Sequence, residues 1–459
     1  MSARVRQQGL MKTTVNQSAK LTENGAKLLL RPALFYANSF RAEFQQTIPL
    51  GAGINGGLNI AQELGVSPAF AIWIIASYPL TQGTFVLMGG RVGAVYGHKK
   101  TAAAGGMLWV IFHLISGFMR SITSLSIMRA LSGVGAAFVF PNAVALLTIT
   151  NPPGKARNIS VGLFGAMAPI GAAGGSVFPA LFGQLTQWWW LFFFLALLGS
   201  VIFGLFIIIV PGEPTPMHPL GKVDYIGAYL GVSGLILFNF VWIQSALVGW
   251  SVPYIYALLI ASILHVAGFV IWEVRFAAEP IMPMNIWGSP SFNMMIASSF
   301  VSFMGFGMLI WYLTAWQAEL RGYTMLLNAA TYAPLAVGGA GAALLSAKVV
   351  RHLAAQYISA IGSTATLVKP TGLAGSLIGT ILSYGLATGL GFAGTVEHYT
   401  NNNGKDLARG YRNGLYLGIG MAGMAIVLSL AFVGIPRDRR EGWGEEQMGP
   451  EVTLPRAET

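Results

Sequence analysis

Long apolar stretches recur along most of the chain, separated by short polar breaks. Windows of weakly charged residues centre on 70–89, 101–119, 125–148, 160–183, 189–210, 225–247, 252–273, 291–316, 325–347, 372–396 and 413–435. About 20 residues at 1.5 Å each cross the roughly 30 Å of a bilayer's hydrocarbon, so each window predicts a transmembrane helix. Residues 44–62, FQQTIPLGAGINGGLNIAQ, carry Gln45, Gln46, Asn55 and Asn59. They predict a span only if one face meets a polar interior. Residues 354–368, AAQYISAIGSTATLV, are short and moderately polar and predict a connection that does not cross. Together the windows predict about twelve spans.

Composition agrees with this pattern. Of 459 residues, 54% are hydrophobic and 9% charged, and mean hydropathy is +0.62, whereas soluble domains are about 25% charged. An all-α polytopic membrane protein embedded in a lipid bilayer is expected. The net charge of +11 then reports topology rather than nucleic-acid binding. With the N-terminus cytosolic, the inner side receives the basic tail, Arg91, Lys99, Lys100, Lys155, Arg157, Lys222, Arg275, Lys348, Arg351 and the PRDRR of 436–440. The outer side receives Arg120, Arg321, Lys405, Arg409 and Arg412. This bias places both termini in the cytosol. The first 30 residues contain no apolar core of a cleaved signal peptide. The chain has no cysteine, which removes disulfides and thiolate chemistry.

The expected organisation is a cytosolic tail (1–43), a first helix bundle (44–210), a cytosolic loop (211–223) and two extra spans (224–273). A second bundle (274–435), incomplete near 354–371, and a disordered cytosolic tail (436–459) follow. A faint echo links GGRVGAVYGHKK in the first half to LLSAKVVRHLAAQ in the second, and transporters are often built from repeats.

Enzyme apparatus is missing. No G-x-x-x-x-G-K-[ST] loop occurs, the six histidines lack metal-ligand spacing, and no carboxylate pair lies within the apolar windows. No enzyme activity, cofactor or metal is therefore expected. In LMGGRVGAVYGHKK (87–100), Gly90, Gly93 and Gly97 have the wrong spacing for a dinucleotide cradle, and the flanks are membrane windows. The segment predicts a short basic turn.

Arg129 lies inside the window LSIMRALSGVGAAFVFPNAVALL. An arginine at a helix centre costs about 2.5–3.5 kcal/mol on insertion scales, so it should face an internal cavity or snorkel to the nearer surface. Gly133 and Gly135 follow one turn later and permit a close helix approach. Residues 162–175, GLFGAMAPIGAAGG, place Gly162, Gly165, Pro169, Gly171, Gly174 and Gly175 in one span. Such density suits either close packing alone or a bent, closely approached helix. Trp73, Tyr78, Asn142, Asn239, Trp242, Gln244, Trp311, Tyr312 and Gln317 are candidates to line an amphipathic substrate pocket, or else belong to interfacial belts.

In this order the three glycine-rich and basic elements resemble the major facilitator superfamily, in particular its fungal-type, 14-span drug:proton antiporter branch. GGRVGAVYGHKK resembles that family's loop between the second and third spans, IMRALSGVGAA its fourth-span R-x-x-x-G-x-G motif, and GLFGAMAPIGAAGGSVFPAL its fifth-span antiporter motif. WIIASYPLTQGTFVL and QWWWLFFFLAL are also similar to this branch. The resemblance covers residues 44 to 435 and implies two six-helix bundles, the second lacking its third and fourth helices, plus two extra central spans. It implies a proton-coupled efflux antiporter of small amphipathic compounds, working by alternating access as a monomer in the plasma or vacuolar membrane. Gly90, Arg91, Gly93, Gly97 and Lys99 would form a cytoplasmic gating loop, Arg129 the proton-coupling residue, and Pro169 with its glycines the antiporter bend. Ala94 stands where that loop usually carries an aspartate, which removes a latch. With the missing spans, this leaves a non-transporting paralogue or sensor as the alternative.

Overall fold

The structure, a computed structural model, describes residues 43–45, 47–150, 155–210, 216–282, 287–288, 291–349, 372–402 and 404–433. Among the described residues it is helical throughout, without strands. Helix α1 covers 47–63, with 43–45 already helical before it. Then come α2 (Ala71–Tyr96), α3 (His98–Ser116), α4 (Ile122–Thr150), α5 (Lys155–Leu185) and α6 (Trp190–Ile209). A hairpin of α7 (Tyr225–Val248) and α8 (Pro253–Arg275) separates them from α9 (Phe292–Ala315), α10 (Met325–Ala330), α11 (Ala333–Val349), α12 (Gly372–Thr400) and α13 (Leu407–Phe432). Eight of these segments are long and apolar enough to cross a membrane by length and composition.

Local chemistry explains most helix boundaries. Pro68 opens the 3-10 turn Pro68–Phe70 that leads into α2, where a missing N–H costs nothing. The Asp224, Thr324 and Asp406 side chains accept backbone N–H groups at the starts of α7, α10 and α13. α2 and α4 each contain an internal proline, Pro79 and Pro141, and α5 contains Pro169 and Pro179. Neighbouring helices can satisfy the backbone groups that such residues free.

The structure moves several expected boundaries. The basic turn expected over 87–100 is mostly helix: α2 runs through Tyr96, and α3 starts at His98. The whole break is Gly97, whose φ of 105° suits a residue without Cβ. The span expected over 325–347 is cut into α10 and α11 at Thr331 and Tyr332. Pro334 follows, and a proline cannot donate to the preceding turn. α9 is prolonged by a π-helical turn, Trp316–Leu320. The 1–43 tail boundary falls inside helix, since Glu43 is helical and buried. Segments 354–368 and 436–459 and the earlier part of the N-terminal tail lie outside the described residues.

In the first half α4 packs on α2 and α3, and α3 packs on α6. Its interior holds Ile48, Tyr78, Trp109, Val139 and Leu195. In the second half α9 packs on α12 and α13. The halves meet where α5 touches α10 and α11, and where α2 and α4 touch α12. An apolar cluster joins Ile54, Ile72 and Ile75 to Met308, Trp311 and Leu390 across that boundary. Glycine makes the approach possible: a Cβ on Gly83 would lie 2.6 Å from the Tyr384 backbone nitrogen. Without a hydrophobic drive between helices in lipid, such small-residue seams carry much of the association. The α7–α8 hairpin joins through α7, which packs on α12 and α2, while α8 rests mainly on α7.

Candidate functional site

The most distinctive group in the first half is a fully interior guanidinium. Arg129 on α4 is 1% exposed, which excludes the snorkelling geometry. Its Nε donates to the Ile74 carbonyl at 2.6 Å and its Nη2 to the Pro49 carbonyl at 2.9 Å. One side chain thereby ties α4 to α2 and α1. Gly53 leaves the room, since a Cβ there would lie 2.6 Å from Arg129 Nη2. The guanidinium also stands 6.0 Å from the Phe192 ring centroid, within cation–π range.

Tyr78 extends this polar interior. Its hydroxyl accepts Trp109 Nε1 at 3.2 Å, and Trp109 stacks on His113 at 3.8 Å. His113 Nδ1 bonds the Trp109 carbonyl at 2.8 Å. Tyr78 lies within electrostatic reach of both Arg129 and Glu43. Glu43 itself is 4% exposed. Its neighbour Phe44, with Thr47, meets Gly171, which is halfway along the 31-residue α5. Glu43 is therefore a carboxylate deep in the helix bundle. Sequence reading missed it because Arg41 and Glu43 raise the polarity of the flank, so the window began at residue 44.

The α5 glycines face two ways. A Cβ on Gly171 would lie 2.6 Å from the Phe44 carbonyl oxygen, and one on Gly175 would lie 2.8 Å from Ile48 Cα. Gly174 touches the Phe44 ring in ordinary contact, and nothing lies within 4 Å of a Cβ on Gly165. Gly162 is buried. Pro169 points across the halves, where a Cβ on Gly339 of α11 would lie 2.8 Å from it. Gly171 and Gly175 thus form a seam for α1, and Pro169 sits at the contact with the second half.

The α2–α3 junction collects the loop residues. Arg91 pairs with Glu279 and donates from Nε and Nη2 to the Lys222 carbonyl at 3.2 and 2.9 Å. Gly93 packs against His98 and Asn142. Asn142 is held by His98 Nδ1 at 2.7 Å and by the Gly89 and Phe138 carbonyls at 3.0 and 2.7 Å. Gly90 and Lys99 are half-buried on the same junction. Outside the membrane, the Lys222 backbone N–H, then the Arg91 charge and hydrogen bond, hold the Glu279 carboxyl below the usual glutamate range.

The pocket candidates do not share one lining. Trp73 Nε1 bonds Gln244 at 3.0 Å, and Gln244 bonds the Tyr254 hydroxyl at 3.0 Å, so these two sit where α2 meets the α7–α8 hairpin. Trp311 belongs to the apolar cluster between the halves, with Trp73 packed against it. Tyr78 belongs to the arginine interior and Asn142 to the α2–α3 junction. Asn239 bonds Thr388 at 3.0 Å between α7 and α12. Gln317 accepts from the Thr331 hydroxyl at 3.1 Å, at the end of α10. The apolar windows themselves hold no carboxylate pair, but two carboxylates just beyond them come together in the fold. Tyr312 donates to Glu397 at 2.8 Å and Tyr411 to Glu319 at 2.6 Å, with the two rings 5.7 Å apart. Each carboxylate lies just past the end of an apolar window, and only the fold brings the pairs together.

Two helical halves with a central hairpin, and a cation sealed into one of them, define a polytopic membrane carrier. The family profile of the Major Facilitator Superfamily matches residues 50–432, and the chain belongs to that superfamily of transporters. It is 31% identical to a low affinity ammonium transporter of Saccharomyces cerevisiae, over 88% of this chain and 89% of that one. It is 34% identical to the aminotriazole resistance protein of the same yeast, over 78% and 76% of the two chains. A crystal structure of a peptide transporter with sulfate superposes at TM-score 0.57 and 13% identity, covering 87% of this chain and 96% of that one. This last likeness shows the fold alone. The ammonium transporter aligns over 465 positions while 88% of this 459-residue chain takes part. About 60 positions of that relative therefore face gaps here.

Proposed function

We propose that this chain is a proton-coupled antiporter that exports small amphipathic or weakly basic compounds by alternating access. The observation that carries the reading is the sealed Arg129, braced by two backbone carbonyls, with the buried Glu43 within electrostatic reach of the neighbouring Tyr78. Arg129 holds α1, α2 and α4 as one body, and Glu43 carries the exchangeable proton. Ionised, Glu43 offers a negative site to a cationic substrate, and protonation removes that charge from a low-dielectric interior and so disfavours the bound cation. A proton and a cation thus compete for one carboxylate, which is the condition for exchange. The glycine approaches between the halves, Gly83 on Tyr384 and Gly339 on Pro169, support rocking of one half against the other.

The charge bias of the loops supports cytosolic termini, and the relatives' names, an ammonium transporter and a resistance protein, support movement of a small solute; the reading places the chain in the plasma or vacuolar membrane as a monomer. Reconstitution into proteoliposomes with an imposed pH gradient tests the reading, with aminotriazole and ammonium as probes. Gradient-driven flux is expected, and flux independent of the gradient would refute proton coupling. The alternative is a non-transporting paralogue. Its support is Ala94 together with the roughly 60 positions of the ammonium transporter that face gaps here, a total comparable with about two spans and their connection. No flux of either probe in any gradient, regained when Asp is placed at position 94 and the absent stretch is restored, would favour it.

A further inference from the structure

The segments flanking the α7–α8 hairpin close on the α2–α3 junction from both sides. Before α7, the His218 backbone N–H donates to the Ala94 carbonyl at 2.9 Å, Met217 Sδ lies 3.3 Å from His98 Nε2, and the Lys222 carbonyl receives Arg91. After α8, Glu279 pairs with Arg91, and the same carboxylate oxygen accepts the Lys222 N–H at 2.9 Å. One carboxylate therefore ties α2 to both feet of the hairpin. The feet are themselves cross-braced. Trp272 Nε1 donates to Asp224 at 2.8 Å, and Glu273 accepts the N–H groups of Ile281 and Met282 at 3.1 and 3.3 Å. These bonds fix the turn that presents Glu279.

We propose that Glu279 is a latch carboxylate that clasps α2 to both feet of the α7–α8 hairpin, and that the hairpin is the brace holding the α2–α3 junction in one access state. The proposal rests on the alternating-access reading above. The contact is polar and half-exposed, the Arg91 and Glu279 side chains being 13% and 39% exposed. Such a clasp opens at small cost compared with an apolar seam. The junction it grips is a single hinge residue, Gly97, between two long helices. The charged and titratable groups facing the carboxylate are Arg91 from α2 and His218 from the segment before α7.

The chain contains no cysteine, so A94C in the otherwise native full chain reports on the junction through its rate of maleimide labelling in detergent. Glu279→Ala and Arg91→Ala should each raise that rate about two- to fivefold, the range set by a half-exposed ion pair. The double variant should label no faster than either single, and the swap R91E/E279R should return the rate toward that of the parent. Glu279→Gln, which keeps the side-chain shape, should also speed labelling, so the result does not hinge on a variant that folds poorly. Unchanged labelling in Glu279→Ala, or additive effects in the double variant, would overturn the latch. Labelling requires no substrate. A chain that moves neither probe yet shows this pattern would sink the transport reading and keep the clasp.

Discussion

Arg129→Met removes the charge from the interior of the first half while keeping a long, flexible side chain in its place. Two opposing effects set the outcome. Relief from burying an arginine at depth is worth about 2.5–3.5 kcal/mol on insertion scales. Loss of the Nε bond to Ile74 and the Nη2 bond to Pro49 costs about 1.5–3 kcal/mol each, as for hydrogen bonds involving charged groups. The balance is a destabilisation between roughly zero and 3 kcal/mol, small enough for the variant to fold. Coupling should fare much worse, because the buried positive charge on which the proposed exchange depends is gone. The assay is twofold: thermal unfolding in detergent, and aminotriazole or ammonium flux in proteoliposomes with and without a pH gradient. Unfolding should shift modestly while gradient-driven flux falls at least about tenfold, equivalent to roughly 1.4 kcal/mol. Arg129→Lys keeps the charge but lacks the planar fork that reaches two carbonyls on different helices, so it should retain part of the flux. Gradient-driven flux through Arg129→Met at the parent rate would refute the reasoning.

The α5 seam gives a contrast within one helix. Gly171→Val and Gly175→Leu should each destabilise by about 1–3 kcal/mol through overpacking against α1, whereas Gly165→Ala, with nothing within 4 Å, should be neutral; detergent unfolding curves check both. Asn142→Ala removes bonds to His98 and to the Gly89 and Phe138 carbonyls, and should lower stability by about 1–2 kcal/mol, at the measured scale of interhelical polar contacts. A variant as stable as the parent would count against its role at the junction. The Glu279 clasp has a defined pH sign. Its carboxyl is held below the usual glutamate range, so its contribution is fully present above about pH 4.3 and is lost as pH falls through the lower folded value. The ratio of A94C labelling rates in Glu279→Gln and in the parent chain, in which the changing thiolate fraction cancels, should therefore be flat between about pH 5 and 8 and fall toward one only on further acidification; a ratio already falling at pH 6 would point to another group.

Much of the architecture was legible along the chain. Apolar windows located the long helices, because crossing hydrocarbon demands a minimum apolar length whatever the helix packs against. They failed where tertiary contacts decide depth or continuity. Pro334 splits one window into α10 and α11. Gly97 compresses a fourteen-residue basic stretch into a one-residue break. Arg129 stood out as a charge inside a window, yet whether it snorkelled or sealed depended on where α1 and α2 place the Pro49 and Ile74 carbonyls.

Glu43 and Glu279 show the limit most clearly. Each lies at the edge of an apolar run, where a carboxylate reads as a solvated flank, and each gains its role only from a residue far away in the chain. Glu43 is set deep by α1 lying along the middle of α5, and Glu279 is set on Arg91 by a hairpin of two helices between them. The sequence alone determined that the chain is a helical membrane protein and roughly where most of its long helices lie, since those follow from local hydropathy and backbone satisfaction in lipid. Only the tertiary structure decided which charges meet, because electrostatic partnership falls off over a few ångströms and depends on packing that no local pattern encodes.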